Sequence, residues 1–254
     1  MSEALTTWER PCFEPGGGNA FLLFAVYGQF KDLSEGSGLE YRTEGLPLGV
    51  QAHRVTHAGG GELPFMTGEM ARVAREDNPD GFDLAQTAAE CLVLQGEVAD
   101  PPDLNYLRDI IGLIAWWFDH GAVAALDAQR LKLYDSVAWC LDLFAPLPLR
   151  LLNHVIILGS KDDGHSWLRT RGMRKFGRPD LSMRHVGIDA QGLVAELFNR
   201  LLMFQAQGGR IQDGQSVRLT GLPDGITCRL RGALDDPEFN NQHIELCWPG
   251  TYSF

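Results

Sequence analysis

The stretch that decides the fold runs from His154 to Val186, HVIILGSKDDGHSWLRTRGMRKFGRPDLSMRHV. His154 to Leu158 is an apolar, β-branched run that reads as a strand buried on both faces. Asp163-Gly164 follows, a dipeptide that tolerates positive φ and suits a two-residue hairpin. Ser166 to Thr170 is the expected return strand. Gly172 frees the backbone to bend, and Met173 to Phe176 has room for one helical turn before Gly177. Pro179 pushes Arg178 out of the helical region. Leu181 to Val186 then alternates as a third strand, with Leu181, Met183 and His185 on one side.

Charge sets this segment apart. Residues 161–185 hold seven bases, Lys161, Arg169, Arg171, Arg174, Lys175, Arg178 and Arg184, and three acids, Asp162, Asp163 and Asp180. Seven against three leaves +4 in a chain of net charge −11, so the remainder carries −15. Arg169, Arg171, Arg174, Lys175 and Arg178, with His165 as an acid or base at the hairpin, form a candidate anion site, because a guanidinium fork matches carboxylate and phosphate oxygens. The competing reading is that these side chains pair with the acidic excess elsewhere.

Working outward, the fold class is α+β (mixed α/β): mixed sheets flanked by two long helices, in two similar-sized halves packed together. Residues 1–19, with Gly16-Gly17-Gly18, read as a flexible lead-in, because no Gly-Lys-Ser/Thr ending follows the glycines. An N-terminal α/β half spans 20–145 and a C-terminal α+β half spans 150–254, with Ala145-Pro146-Leu147-Pro148-Leu149 as the boundary. Phe21 to Tyr27 is an apolar strand, and Val50 to His57 alternates and is expected to pair with it. Residues 31–48 read as a surface excursion. Thr67 is placed to cap a helix through about Glu76, Asn78 to Gly81 reads as a loop, and Asp83 to Glu90 reads as a helix.

Cys91 to Val98 reads as a strand, and Asp100-Pro101-Pro102-Asp103 opens a long helix with Asp as its cap. Leu104, Leu107, Ile110, Ile111, Ile114 and Phe118 form one apolar face of that helix, and Ala122 to Leu126 follows as a strand. Strand, helix and strand make a βαβ unit with parallel strands. Asp119, His120, Asp127, Asp135 and Asp142 read as helix-end caps. The second long helix runs from the Asp189 cap to about Gln207, with Leu193, Val194, Leu197, Leu201 and Phe204 as its buried face and Gly208-Gly209 as its stop. Ser216 to Leu219, Thr227 to Leu230 and Ile244 to Trp248 alternate as strands.

Composition bounds the function. At 44% hydrophobic and 22% charged residues, 254 residues can bury a full core. A pI near 5.0 opposes duplex nucleic acid, which needs a cationic footprint, and suits a basic protein partner. Cys12, Cys91, Cys140, Cys228 and Cys247 are scattered and odd in number, which is neither a disulfide framework nor a zinc module. His53 and His57 share a strand side, with Glu62 or Glu69 nearby, but lack the spacing of a metal motif. No metal or other cofactor is expected. There is no basic-then-apolar leader and no apolar run long enough for a bilayer, so the expectation is a soluble cytoplasmic protein without membrane contact.

The run Thr170-Arg171-Gly172-Met173-Arg174-Lys175-Phe176-Gly177-Arg178-Pro179-Asp180-Leu181 resembles a signature of uncharacterised bacterial proteins known only as domains of unknown function. Gly121 to Ala124 and Asp213 to Val217 extend the likeness, which covers about the second half of the chain plus the upstream element. It carries no reaction and no catalytic residues. Because some such proteins occur near polymorphic toxin systems, it implies an immunity-like or binding role.

Two functions from different classes fit. One is a non-enzymatic binding protein for a basic partner, favoured by the acidic balance and by the lack of a nucleotide loop, nucleophile elbow or HExxH motif. The other is an enzyme or sensor for a small phosphate- or carboxylate-bearing ligand, resting on the basic segment.

Overall fold

The computed structural model describes residues 5–30, 39–57, 61–146 and 150–250. The fold is α+β, with two sheets: the first pairs all its strands antiparallel, and the second is mixed. In chain order the first sheet comprises β1 (Ala20–Gly28), β2 (Val50–Thr56), β3 (Glu90–Val98), β4 (Ala122–Asp127) and β5 (Lys132–Tyr134), arranged β2-β3-β1-β4-β5. Helices α1 (Gly68–Asp77) and α2 (Pro79–Thr87) precede β3, α3 (Asn105–Asp119) joins β3 to β4, and the short α4 (Ser136–Trp139) follows β5. The second sheet comprises β6 (Ile156–Asp162), β7 (His165–Arg171), β8 (Asp180–Val186), β9 (Ser216–Val217), β10 (Ile226–Arg231) and β11 (His243–Cys247), with α5 (Gln191–Ala206) after β8. Its order is β6-β7-β8-β11-β10-β9, with β8 and β11 parallel.

β1 is the centre of the first sheet, and its alternation explains how both faces are covered. Leu22, Phe24 and Val26 enter the larger core with Leu107, Ile110, Ile111, Ile114 and Trp117 of α3. Ala25 and Tyr27 face the smaller core under α1 and α2, with Met66, Ala74, Phe82 and Leu126. The larger core is continuous from α3 through Met173 and Phe176 to Leu181, Met183, Val194, Leu197 and Phe198, so the two sheets share one interior.

Several expectations are corrected by this topology. β2 pairs with β3 rather than with β1. β3 and β4 do run parallel to each other across α3, but β1 lies between them, antiparallel to both. The unit is therefore split, and each parallel strand satisfies its ladder on an antiparallel neighbour. α2 begins at Pro79, with Pro at the first turn and Asn78 Oδ1 accepting from Gly81 N at 2.9 Å, where a loop was expected. Thr67 occupies the cap position of α1 without a side-chain cap bond. Asp100 does not cap α3; it binds Gly16 N at 2.5 Å and Arg178 Nη1 at 3.1 Å. The buried stripe of α5 is rotated, with Phe198 and Leu202 buried and Leu193, Leu201 and Phe204 only half-buried. Of the Ala145-to-Leu149 boundary, residues 147–149 lie outside the described residues, as do residues 31–38 of the 31–48 excursion.

The opening hairpin forms as read. β6 and β7 are antiparallel, Asp162 faces His165, and Asp163 and Gly164 take φ 43 and 82. The strand from His154 does not lie buried on both faces. His154 ends a 3-10 turn at Leu151–His154, and β6 is an edge strand whose Ile156, Ile157 and Leu158 are half-buried. β8 is more central, and its alternation is broken. Leu168 pairs with Met183 while Ser166 pairs with Val186, so one extra residue bulges at Arg184-His185. His185 takes φ 53, and Val186 replaces it in the core.

The N-terminal segment, read as a flexible lead-in, is anchored to the fold at Trp8 and Arg10. Trp8 is buried, its N–H donates to Asn105 Oδ1 at 3.0 Å, and its carbonyl accepts from Leu104 N at 2.7 Å. The guanidinium of Arg10 is buried and donates to the carbonyls of Ala206, Gln205, Phe176 and Pro101 at 2.9–3.2 Å. Two of these carbonyls end α5, where the helix has no partners of its own and its dipole favours a cation. Burial lowers the Arg10 pKa to about 10, still well above neutrality.

The sheets are tied by a buried ion pair. Lys175, in the turn Met173–Phe176 between β7 and β8, donates its ammonium to Asp127 Oδ2 at the end of β4, and neither side chain is exposed. The other oxygen of Asp127 accepts from Gln129 N and Arg130 N, each at 3.1 Å, and holds the β4–β5 turn. Removing one member of such a pair strands the other without water. Lys175→Met is therefore expected to cost about 3–5 kcal/mol in urea unfolding, and adding Asp127→Asn should recover part of it, with a coupling of about 1–3 kcal/mol. Strictly additive losses would show that the two side chains do not depend on each other.

Candidate functional site

The backbone that places the basic residues is set by two glycines. Gly172 takes φ 119, and a Cβ there would meet the His154 carbonyl at 2.3 Å; Gly177 takes φ 61, and a Cβ there would meet the Gly18 carbonyl at 2.3 Å. Between them the turn aims Lys175 and Arg174 to different sides. Lys175 goes inward to Asp127, and Arg174 goes toward solvent over the ring of Phe21, 4.2 Å from its centroid.

The six expected anion-site residues therefore separate. Arg178 is buried: it donates to the carbonyls of Gly208 (2.6 Å), Glu14 (3.0 Å), Gly209 (3.1 Å) and Gly177 (2.9 Å), and pairs with Asp100. It serves the end of α5 beside Arg10. Lys175 is fully buried and engaged as described. Arg169 pairs with Glu238 at 3.1 Å and lies over Trp167, 4.4 Å from its centroid. His165 stands exposed near the hairpin tip, its Nδ1 3.2 Å from the Asp163 carbonyl, 6.1 Å ring to ring from His185. Arg171 and Arg174 line one cleft, of about 280 Å³, and Arg174 and Arg178 line a smaller one, of about 210 Å³, beside Glu97.

The larger cleft opens where the start of β1 meets the end of β7 and the start of β8 in the second sheet. Phe21 and Leu23 of β1, Phe65 and Met70 near α1, and Phe239 from the β10–β11 loop are its apolar walls. Arg171, Arg174, Gln129, Asp180 and Asn240 are its polar lining. Phe21 and Leu23 share the alternation of Ala25 and Tyr27 but are only half-buried, so the outer-layer helices leave this end of the strand uncapped. Phe65 takes φ 63, a strained conformation for a bulky residue of the kind that collects at binding sites. Size and lining match a small-molecule site at the small end of the range.

Several polar groups here have no hydrogen-bond partner. Both amide atoms of Gln129 and the Nε of Arg171 are buried without one. Gln129 is placed by the turn that Asp127 caps, so the inter-sheet ion pair also positions this wall. Asp180 is fully buried behind Arg171. It accepts from Thr170 Oγ1 (2.9 Å), Asn241 Nδ2 (2.8 Å) and Met173 N (3.3 Å). Burial pushes its carboxyl up to about 6, against those three hydrogen bonds and the nearby Arg171. Burial also lowers Arg171 and Arg174, and Asp180 opposes the effect on Arg171. His154 lies beyond Lys175, fully buried, with neither ring nitrogen partnered; burial and the neighbouring cations Lys175 and Arg130 hold it neutral.

Other candidates do not assemble. His53 and His57 are exposed, and no group of three metal-ligating side chains exists among the described residues. Asp135 caps α4 by accepting from Ala138 N at 2.8 Å, as expected, whereas Asp127 is the buried partner of Lys175 rather than a simple cap. Among the described residues no helix is long and apolar enough to cross a membrane. Gln129, Phe65 and Phe239 were not singled out from sequence; the φ of Phe65 and the unpartnered amide of Gln129 appear only in three dimensions. No family profile, curated protein or solved structure matches the chain.

Asp180 has a measurable consequence. Its folded pKa, about 6, lies above the ordinary 3.8, so its contribution favours the folded state below pH 3.8 and is lost as pH rises through 6. Relative to Asp180→Asn, the native protein should lose about 2 kcal/mol of unfolding free energy between pH 4 and pH 7. Denaturant melts of both proteins across that range check this, and a constant difference would contradict it. The contribution of His154 is common to both and cancels.

Proposed function

We propose that the protein binds a small anionic ligand in the cleft between the sheets, as a sensor or enzyme for a carboxylate- or phosphate-bearing molecule. The observation that carries this reading is the separation of the basic residues. Lys175 and Arg178 are consumed by internal partners, while Arg171 and Arg174 line an apolar cleft and the Arg171 Nε has no partner. A guanidinium held beside a low-dielectric wall binds an oxyanion more strongly than one in water.

A second reading, a binding protein for a basic partner, is supported by the charge distribution. Among the described residues Arg10, Arg108, Lys175 and Arg178 are buried with Glu90, Asp109, Asp127 and Asp180, four of each sign. These cancel, which leaves the acidic excess outside the core and able to steer a cationic protein. The motif resemblance, with its immunity-like implication and a cytoplasmic setting, belongs with this second reading.

A thermal-shift screen of phosphorylated and carboxylated metabolites separates the two. A ligand specific for the folded state raises the melting temperature. At least one anion is expected to do so, with the shift lost in Arg171→Gln and kept in His165→Ala. No stabilising anion, or a shift that survives Arg171→Gln, would refute the cleft reading. Affinity should also rise as pH falls from 7 toward 5.5, because protonation of Asp180 removes a negative charge behind Arg171.

A further inference from the structure

We infer that the ligand of this cleft is a small monocarboxylic acid with an aromatic or branched apolar body and one neutral polar group beside the carboxylate; this rests on the anion-binding reading above. Three observations converge. The first is charge. Arg169 and Glu238 neutralise one another at 3.1 Å, and Glu97 acts on Arg174, so the cation left for a ligand is Arg171 with Asp180 behind it, enough for one negative charge at most. Arg174 is further committed: its Nη1 donates to the carbonyls of Asn240 at 3.0 Å and Leu234 at 3.4 Å. Arg171 lines the cleft, its side chain making no hydrogen bond or ion pair among the described residues, and a guanidinium so placed fits the planar, singly charged fork of a carboxylate. A dianionic phosphate monoester would leave charge uncompensated beside the Asp180 carboxylate.

The second is shape. Phe21, Leu23, Phe65, Met70, Ala128 and Phe239 surround about 280 Å³, room for a single ring or a branched chain and little more. Phe239 is itself held, stacked on His243 at 4.0 Å and edge-on to Trp167 at 6.1 Å, so the wall is preorganised. The third is Gln129, a lining residue whose amide carbonyl and NH2 both lack partners and are shielded from solvent, so that a turn of the side chain toward the cleft is what brings them to a ligand. A buried amide in that state is offset by a ligand group that both donates and accepts, such as a hydroxyl.

Phenylacetate, mandelate, acetate, phenyl phosphate and inorganic phosphate, titrated calorimetrically at pH 7 into the full chain, test each part. Phenylacetate is expected to bind at least about tenfold more tightly than acetate or either phosphate, and mandelate more tightly still. Arg171→Gln should abolish binding of both aromatic acids, and Arg171→Lys, which keeps the charge but loses the fork, should weaken it. Gln129→Leu should erase the preference for mandelate over phenylacetate while leaving phenylacetate bound. Phenyl phosphate binding as well as or better than phenylacetate, lost in Arg171→Gln, would overturn the carboxylate assignment and leave the anion-binding reading standing. Acetate equal to phenylacetate would overturn the apolar body, and a mandelate preference that survives Gln129→Leu would overturn the role of Gln129. Aromatic-acid binding that survives Arg171→Gln in a folded protein would place the site elsewhere and overturn the assignment. Binding by none of the five would remove this assignment, while a hit in the wider metabolite screen would keep the parent reading.

Discussion

The contact between Lys175 and Asp127 is the constraint on which the other features depend. A lysine and an aspartate without solvent exposure are stable only together. Holding them together docks the turn between β7 and β8 against the end of β4. It fixes the relative position of two sheets that share no hydrogen-bonded strand. Asp127 at the same time accepts two backbone N–H groups of the β4–β5 turn. One carboxylate therefore sets both the junction between the sheets and the placement of Gln129 in the cleft. Arg10 and Arg178 perform a parallel service at the end of α5, where they bind the N-terminal segment, the Gly177 corner and the helix C-terminus through backbone carbonyls. The basic segment is first of all an internal fastening.

That reading resolves the charge anomaly residue by residue. Three of the expected residues meet acidic side chains, Lys175 with Asp127, Arg178 with Asp100 and Arg169 with Glu238. Arg174 meets carbonyls and an aromatic ring. Arg171 is left with Asp180 behind it and the cleft in front. Pairing with acidic side chains, one of the two readings of the sequence, accounts for three members of the run, while Arg171 and Arg174 line a cleft.

Local rules were legible where one residue governs one backbone angle. Asp163-Gly164 makes the hairpin, Gly172 and Gly177 bracket a single turn, and the central strand and long helices lie where periodicity puts them. Rules that need a partner were not. An apolar run such as Val155 to Leu158 looks alike in a central and in an edge strand, because burial on the second face depends on what comes to cover it. The alternation of β2 identified a strand but not its neighbour, and β3 claimed it. Lys175 resembled its solvated neighbours because its partner lies 48 residues upstream. Gln129 and Phe239 come from separate turns that meet only after the sheets dock.

The central claim is that, of the basic residues in this segment, Arg171 is the one presented to a ligand while Arg178 is engaged within the fold. Arginine side-chain Nε–H resonances report this directly, since each titrates separately on an arginine-labelled sample. On addition of phenylacetate the Arg171 Nε–H signal should shift in a saturable way and become protected from exchange, while the Arg178 signal, already protected, stays in place. A saturable shift confined to Arg178 or Arg169, or equal small shifts at every arginine, would contradict the account.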